Sequence, residues 1–476
     1  VTSDSTAEYD VIVIGGGPAG ENAAAYAIAD SERTAVIVER ELVGGECSYW
    51  ACMPSKALLR PAHVLSGAKA MAGITASGLD VDAVLKRRDA FTHKHDDSSQ
   101  VDWANDNRIE VVRGTGRLAG ERLVEVGGRQ LRARHAVVLA TGTKAAVPDV
   151  PGLRDALPWI SRDATNLHEV PRRVVIIGGG VVACEAATWL AALGASEITM
   201  LVRGNALLGN AEPFAGERVA AALSDAGVRV LFGTQPTRVV RADPKDSGEG
   251  WIHGGVVTVE TDEGEIEADE ILVAAGRGPA TAELGLGSVG LADGYVEVDD
   301  RLTVRGIDGD WLYAVGDVNH RAALTHMGKY HARVCGDVIA ARAEGRALTD
   351  ARYTATADHG QVPQVVFTAP EVASVGQTEA AARQAGYAVE TVEIDIAVAG
   401  SALARDDYAG RAKIVIDTAT DTLLGATFVG PEVSELIHAA TVAVVGKVPL
   451  ATLWHAVPAY PTVSELWLRL LEARRS

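Results

Sequence analysis

Four consecutive apolar residues, Val11-Ile12-Val13-Ile14, show no alternation with polar ones. Such a run predicts a parallel strand buried on both faces. It leads into Gly15-Gly16-Gly17-Pro18-Ala19-Gly20 and then an alanine-rich helix over Glu21 to Ala29. A second strand, Thr34 to Val38, ends at Glu39. The rhythm returns later: Val174 to Ile177, the turn Gly178-Gly179-Gly180-Val181-Val182-Ala183, a helix through Leu193, and a strand from Ile198 to Val202. Three more apolar strands end in small-residue turns: Ala136 to Ala140 before Thr141-Gly142, Ile271 to Val273 before Gly276-Arg277, and Leu312 to Val315 before Gly316-Asp317. A helix is expected from about Ala323 to Arg342, carrying Thr325, His326 and His331. Beyond about Asp358 the pattern changes. Strands are expected over Val362 to Phe367, Tyr387 to Ile394, Ala412 to Ile416 and Leu423 to Val429, with helices over Glu432 to Val444 and Leu466 to Leu471. This tail has no phosphate loop and reads as an interface domain. The polar segment 243–250 carries no catalytic signal.

Strand, glycine turn, helix, strand, acid is the order of a dinucleotide-binding unit. Gly15 permits the tight turn, Gly17 lets the backbone approach a pyrophosphate, and Gly20 allows close helix–strand packing. Unpaired N–H groups at the helix start face the phosphates. Glu39 stands where a carboxylate can hold a ribose hydroxyl pair. The second unit repeats the turn at Gly178 and Gly180 but has no acid at its strand end, where Val202 is followed by Arg203. An acid would repel a 2′-phosphate, and an arginine can pair with it, so NADPH is expected over NADH. Two such units imply two dinucleotides, the arrangement of a flavoprotein reduced by a nicotinamide.

The chain has 476 residues, of which 47% are hydrophobic and 22% charged. That suits a globular protein of roughly three domains at about 150 residues each. A formal charge of −19 speaks against general binding to nucleic acid or anionic membrane. No apolar run is long enough to span a bilayer. Val1 to Tyr9 is read as a short frayed arm without a signal-peptide core. Four cysteines in this length suit a reducing compartment, and a cytoplasmic location is the expectation.

Cys47 and Cys52 are separated by four residues, just before Pro54-Ser55, which favour a helix opening. A turn feeding a helix start can bring their Cα atoms within the roughly 4.4–6.8 Å of a disulfide. A thiol there feels the positive end of the helix, which lowers its pKa and makes it reactive. An inert buried pair, a structural disulfide and a zinc site are the alternatives. Zinc needs further ligands, and Cys184 and Cys335 lie far off and isolated, so no metal is expected. A redox pair fits best.

Taken together, Gly15 to Gly20, Gly45-x-Cys47-x4-Cys52-x-Pro54-Ser55-Lys56, Ala140-Thr141-Gly142, Gly178 to Glu185, Ala275-Gly276-Arg277, Gly316-Asp317 and Pro461-Thr462-Val463-Ser464-Glu465 resemble the class I pyridine nucleotide–disulfide oxidoreductases over nearly the whole chain. That group includes lipoamide dehydrogenase, glutathione reductase and mercuric reductase. The resemblance implies an α/β fold: two Rossmann-like dinucleotide-binding domains plus a C-terminal α+β dimerisation domain. The expected boundaries are 1–150 (FAD-binding, first part), 151–275 (NAD(P)H-binding), 276–350 (FAD-binding, central part) and 351–476 (dimerisation). It implies FAD on the first fold, with Glu39 at the adenosine ribose and Asp317 at the flavin side chain, and NAD(P)H on the second. Cys52 would lie against the flavin and Cys47 would meet substrate. Lys56 would sit beside the flavin ring, paired with Glu185, where a cation favours the anionic reduced form. The C-terminal segment would form a homodimer interface and complete the partner's active site.

Three departures bear on function. The family's disulfide reductases carry a histidine immediately before Pro-Thr-x-Ser-Glu, and Tyr460 stands there. A phenol is a poor base near neutral pH, so Glu465 lacks its usual partner and thiol–disulfide exchange should be slow. His455 is close in sequence, but an interface histidine explains it equally well. Tyr49-Trp50-Ala51 places bulky aromatics between the cysteines, which would narrow access, stack on a flat acceptor, or pack locally. The ending Glu472 to Ser476 holds no cysteine pair of the kind mercuric reductases carry, so mercury reduction loses support. The expected function is electron flow from NAD(P)H through FAD to Cys47–Cys52 and on to a small oxidant: a disulfide, a metal ion or a quinone. Two alternatives stand beside it. The flavin could reduce quinone or dioxygen directly with the disulfide a bystander, or the chain could be an FAD-holding scaffold or sensor without turnover.

Overall fold

The computed structural model describes residues 6–475. Their backbone contacts divide into two compact units, each woven from three stretches of chain. One comprises Val1–Met53, Asp89–Ala145 and Arg277–Asp358; the other comprises Pro54–Arg88, Ala146–Gly276 and His359–Ser476.

In the first unit, seven strands form one sheet among the described residues. Its parallel part runs Ile109–Arg113, Ala35–Glu39, Ala7–Ile14, Arg129–Leu139 and Leu312–Ala314. The hairpin of Gly116–Gly120 and Leu123–Val126 adds antiparallel to the start of Arg129–Leu139. Val11, Ile12 and Val13 are fully buried, as their unbroken apolar run requires. Residues 1–5 of the expected N-terminal arm lie outside the described ones. Its end is corrected: the strand begins at Ala7, where Ala7 to Tyr9 pair with Leu131 to Ala133. The helices Pro18–Ile28 and Thr325–Ala343 approach closely, and a Cβ on Gly336 would stand 2.4 Å from Tyr26 Cβ. Only glycine admits that contact.

The second unit holds a parallel sheet in the order Val228–Phe232, Glu197–Val202, Arg173–Ile177, Glu270–Val273. An antiparallel sheet of Pro236–Arg241, Val257–Thr261 and Gly264–Ala268 accompanies it. Sequence reading missed this sheet, since its short strands bury only scattered positions: Pro236, Val239 and Arg241 in the first, Val257 and Val259 in the second, and Ala268 in the third. The tail forms a five-stranded antiparallel sheet in the order Pro363–Val366, Glu371–Gly376, Thr422–Gly430, Arg411–Asp417, Val389–Asp395. The second of these strands was not expected. The helix expected over Glu432 to Val444 is broken: Glu432 has φ +57°, a 3₁₀ turn covers Val433–Leu436, and the α-helix is Ile437–Val445. No helix among the described residues is long and apolar enough to cross a membrane.

Candidate active site

The first glycine turn is shaped by close backbone approach. Gly15 has φ +106°, and a Cβ there would lie 2.3 Å from Ala140 O; a Cβ on Gly20 would lie 1.9 Å from Gly15 O. The helix start is therefore pressed onto the strand end, with Gly17 as its N-cap. A Cβ on Gly45 would fall 2.8 Å from Gly17 Cα, and Gly44 N donates to Gly16 O at 2.7 Å. The loop that opens the thiol segment thus lies directly against the phosphate turn. Glu39 is pinned rather than free, because Oε2 accepts from Gly16 N at 2.6 Å and Oε1 from Glu41 N at 2.7 Å. Each oxygen keeps a lone pair for a ribose hydroxyl. Thr141 Oγ1 is buried with no hydrogen-bond partner, and Gly142 beside it has φ +68°. Asp317 accepts from Thr143 Oγ1 at 2.9 Å, Arg277 Nε donates to the same hydroxyl at 2.7 Å, and Gly316 has φ +75°.

Cys47 lies on the short helix Gly45–Tyr49, and Cys52 is the first residue of the helix Cys52–Lys69. The two side chains are in hydrogen-bonding contact with each other. Cys52 Sγ is 3.2 Å from Thr325 Oγ1, at the first residue of the 19-residue helix Thr325–Ala343. The Cys47 thiol is pushed well above its ordinary range by the hydrogen bond with Cys52, by burial and by the charge Cys52 can carry; Thr325 and Lys329 oppose this. That revises the expectation of a lowered pKa for this member of the pair, since its proton is held by its neighbour. Tyr49 and Trp50 are 1% and 8% exposed and pack edge-on, with ring centroids 5.8 Å apart. His95 completes the cluster, 5.3 Å from Trp50. The aromatics between the cysteines are local packing and offer no open stacking face.

In the second unit the turn repeats with one difference. Gly178 has φ +136° and a Cβ would stand 2.3 Å from Ala274 O, yet Ala183 occupies the third position and is fully buried. Gly180 caps the helix Val181–Ala192 and faces open space. Gly276 has φ +124°. Arg203 is exposed at the end of the strand Glu197–Val202.

The same unit joins Lys56 and Glu185 at 2.8 Å. Glu185 is 3% exposed, and its second oxygen accepts from Phe367 N at 2.9 Å. The Phe367 ring lies beneath the ammonium, 4.9 Å from Lys56 Nζ. Sequence reasoning missed Phe367, as it missed Thr325's contact with Cys52. Tyr460 is 76% exposed, and His455 is also exposed. No hydrogen bond joins Tyr460 to Glu465 among the described residues. Glu465 Oε1 accepts from Arg469 at 2.8 Å, and its buried Oε2 has no hydrogen-bond partner.

Residues 9–345 match the family model described as pyridine nucleotide-disulphide oxidoreductase, and residues 362–470 match that family's dimerisation domain. The chain is 30% identical over 465 residues to a mercuric reductase of Bacillus cereus, covering 96% of this chain and 70% of the relative. It is 34% identical over 477 residues to a dihydrolipoyl dehydrogenase of Thermus scotoductus, covering 98% and 97%. Its fold is like that of the HOCl-induced flavoprotein disulfide reductase RclA from Escherichia coli, with TM-score 0.82, 24% identity, and coverage of 98% and 99%.

The chain therefore belongs to the pyridine nucleotide–disulphide oxidoreductase family. It is an FAD-dependent, NAD(P)H-driven disulfide oxidoreductase. The first unit fits such a dinucleotide: a backbone cradle that a Cβ would fill at Gly15 and Gly20, and a buried threonine hydroxyl left without a partner at Thr141.

Proposed function

We propose that the Cys47–Cys52 dithiol delivers two electrons to a small oxidant that does not depend on a histidine base. Carrying the reading is the hydrogen-bonded thiol pair, set against both the phosphate turn and the start of the Thr325–Ala343 helix. Gly15, Gly17, Gly20, Glu39, Thr141, Gly142, Gly316 and Asp317 hold FAD, which when bound relays electrons between a nicotinamide and the thiols. Gly178, Gly180, Gly276 and Arg203 hold the nicotinamide dinucleotide, with Arg203 favouring NADPH. Lys56, steadied by Glu185, sits at the flavin ring.

For a disulfide oxidant, Cys47 sulfur attacks one substrate sulfur and releases the first thiolate. Cys52 sulfur then attacks Cys47, closes the intramolecular bond and releases the second. The two protons leave the cysteines and end on the two product thiols. Tyr460, a weak base, gives little help, so metal ions and quinones, which need no protonated leaving thiol, are equally served. Val457 and Tyr460 are strongly exposed and Glu465 Oε2 is unpartnered. These features support a homodimer in which the tail completes the partner's site. The four proposed segments keep the boundaries 1–150, 151–275, 276–350 and 351–476, and we place the enzyme in the cytoplasm on its cysteine usage.

The test is a steady-state screen of a small disulfide, a metal ion and a quinone with NADPH and NADH, comparing the native enzyme with Cys47→Ser. Near-complete loss of turnover in the variant is expected. A variant that keeps most of its rate would make the thiols bystanders and overturn the proposal.

A further inference from the structure

His63 stands seven residues, two turns, beyond Lys56 on the helix Cys52–Lys69, and therefore on the same face. It lies against Glu371 and the four-residue turn 367–370, which joins the strands Pro363–Val366 and Glu371–Gly376. This turn begins with Phe367, the residue that meets the Lys56–Glu185 pair twice, through its ring and its N–H. His63 touches both ends of the turn. Its ring interacts with the Phe367 backbone, and Nδ1 is 3.7 Å from Glu371 Oε1. Glu371 is fixed in turn, accepting from Ser434 N at 3.1 Å. Within the turn, Thr368 Oγ1 donates to Pro370 O at 2.7 Å. The side chains of His63 and Glu371 are 14% and 8% exposed, and His63 Nε2 is buried without a hydrogen-bond partner.

We propose that His63 is a positioning residue for the Lys56–Glu185 pair, acting through the turn that presents Phe367. The inference rests on Lys56 standing at the flavin. If the turn shifts, Phe367 moves its ring from under the ammonium and its N–H from Glu185 together, so a change at His63 reaches Lys56 by both routes.

The charges around His63 give the arrangement a pH signature. Burial holds the imidazole below its ordinary range, and Arg60 on the same helix adds to this. Glu185, the Phe367 backbone and Glu432 pull the other way, with Arg60 and Glu432 facing each other at 3.7 Å. Glu371 is itself pushed up, chiefly by burial. His63 is thus neutral at pH 7.5 and gains its proton only below the ordinary histidine value of about 6.5. The protonated ring then competes with Lys56 for Glu185.

The experiment compares holoenzyme of wild type, H63A, H63Q and K56M by the potential of the bound FAD and the rate of its anaerobic reduction by NADPH, both across pH 5.5–8.5. H63A should be about tenfold slower at pH 7.5, short of the roughly 100-fold cost of a full 1 Å misplacement. H63Q, which keeps a polar contact to the turn, should recover most of that rate. It should also lose the acid-side inflection that wild type shows below about pH 6.5 in rate and potential. An H63A enzyme equal to wild type in both, or an H63Q enzyme that keeps the inflection, overturns the proposal. K56M separates the two layers. If it leaves the potential unmoved, Lys56 is not at the flavin and both readings fall; if K56M shifts it and H63A does not, only the positioning role falls.

Discussion

Replacing Gly20 with alanine adds one methyl group where the helix Pro18–Ile28 meets the strand Ala7–Ile14. Two effects oppose each other. Alanine is the better helix former by about 1 kcal/mol. Against that, the new Cβ would sit 1.9 Å from Gly15 O, a backbone atom that cannot rotate aside, with Ala140 Cβ at 3.3 Å behind it. An ordinary contact of about 3.2 Å requires the helix start to withdraw by about 1.3 Å, and overpacking of this kind costs about 1–3 kcal/mol. The net cost is therefore between about 0 and 2 kcal/mol. The same withdrawal moves the N–H groups that face the pyrophosphate, so FAD affinity should fall at least about tenfold, equivalent to about 1.4 kcal/mol. The chain supplies its own control. Ala183 holds the matching place in the second unit, fully buried, so that helix already admits a methyl group. Ala183→Gly should therefore lose only about 1 kcal/mol of helix propensity. The assay is FAD content, from the visible-to-280-nm absorbance ratio after gel filtration, together with thermal unfolding. Gly20→Ala protein with a full complement of FAD and an unchanged Tm would refute the packing argument.

Two further outcomes follow from the departures and the buried charges. Tyr460→His should raise disulfide reductase activity near neutral pH by roughly tenfold or more, since a well-placed base contributes about 10²–10⁴-fold; no gain, with fold and FAD content intact, would sink the account of this position. In the first unit, Asp358 is 2.7 Å from both His331 Nε2 and Arg321 Nε. Burial pushes its carboxyl up, but these hydrogen bonds outweigh burial and hold it at about 2. A depressed folded-state pKa means that the stabilisation is present above about pH 4, the ordinary aspartate value, and is lost as pH falls toward 2. Urea midpoints measured from pH 5 to 2.5 should fall more steeply for wild type than for Asp358→Asn, and parallel curves would refute it.

The two dinucleotide units were legible because their signals are local. An unbroken apolar run, a glycine turn and an alanine-rich helix lie within about 30 residues, the span of one βαβ unit. The tail sheet was legible in four of its five strands; Glu371–Gly376, a short run straight after Pro370, gave no alternation to read. The sheet over 236–268 was illegible because its strands share so few buried positions. The aromatics Tyr49 and Trp50 show the limit at the site itself. Their presence between the cysteines was plain, but only burial against His95 decided that they pack.

By itself, the sequence determined the glycine cradles, the adjacency of Cys47 and Cys52, and the missing histidine at Tyr460, all properties of neighbouring residues. Tertiary structure alone decided which distant groups meet. The Thr325 hydroxyl that reaches Cys52 is 273 positions away, and the Phe367 N–H that steadies Glu185 is 182 away. Periodicity extends over one element, whereas such contacts depend on how whole sheets and helices fold back on one another. No spacing rule carries that information along the chain.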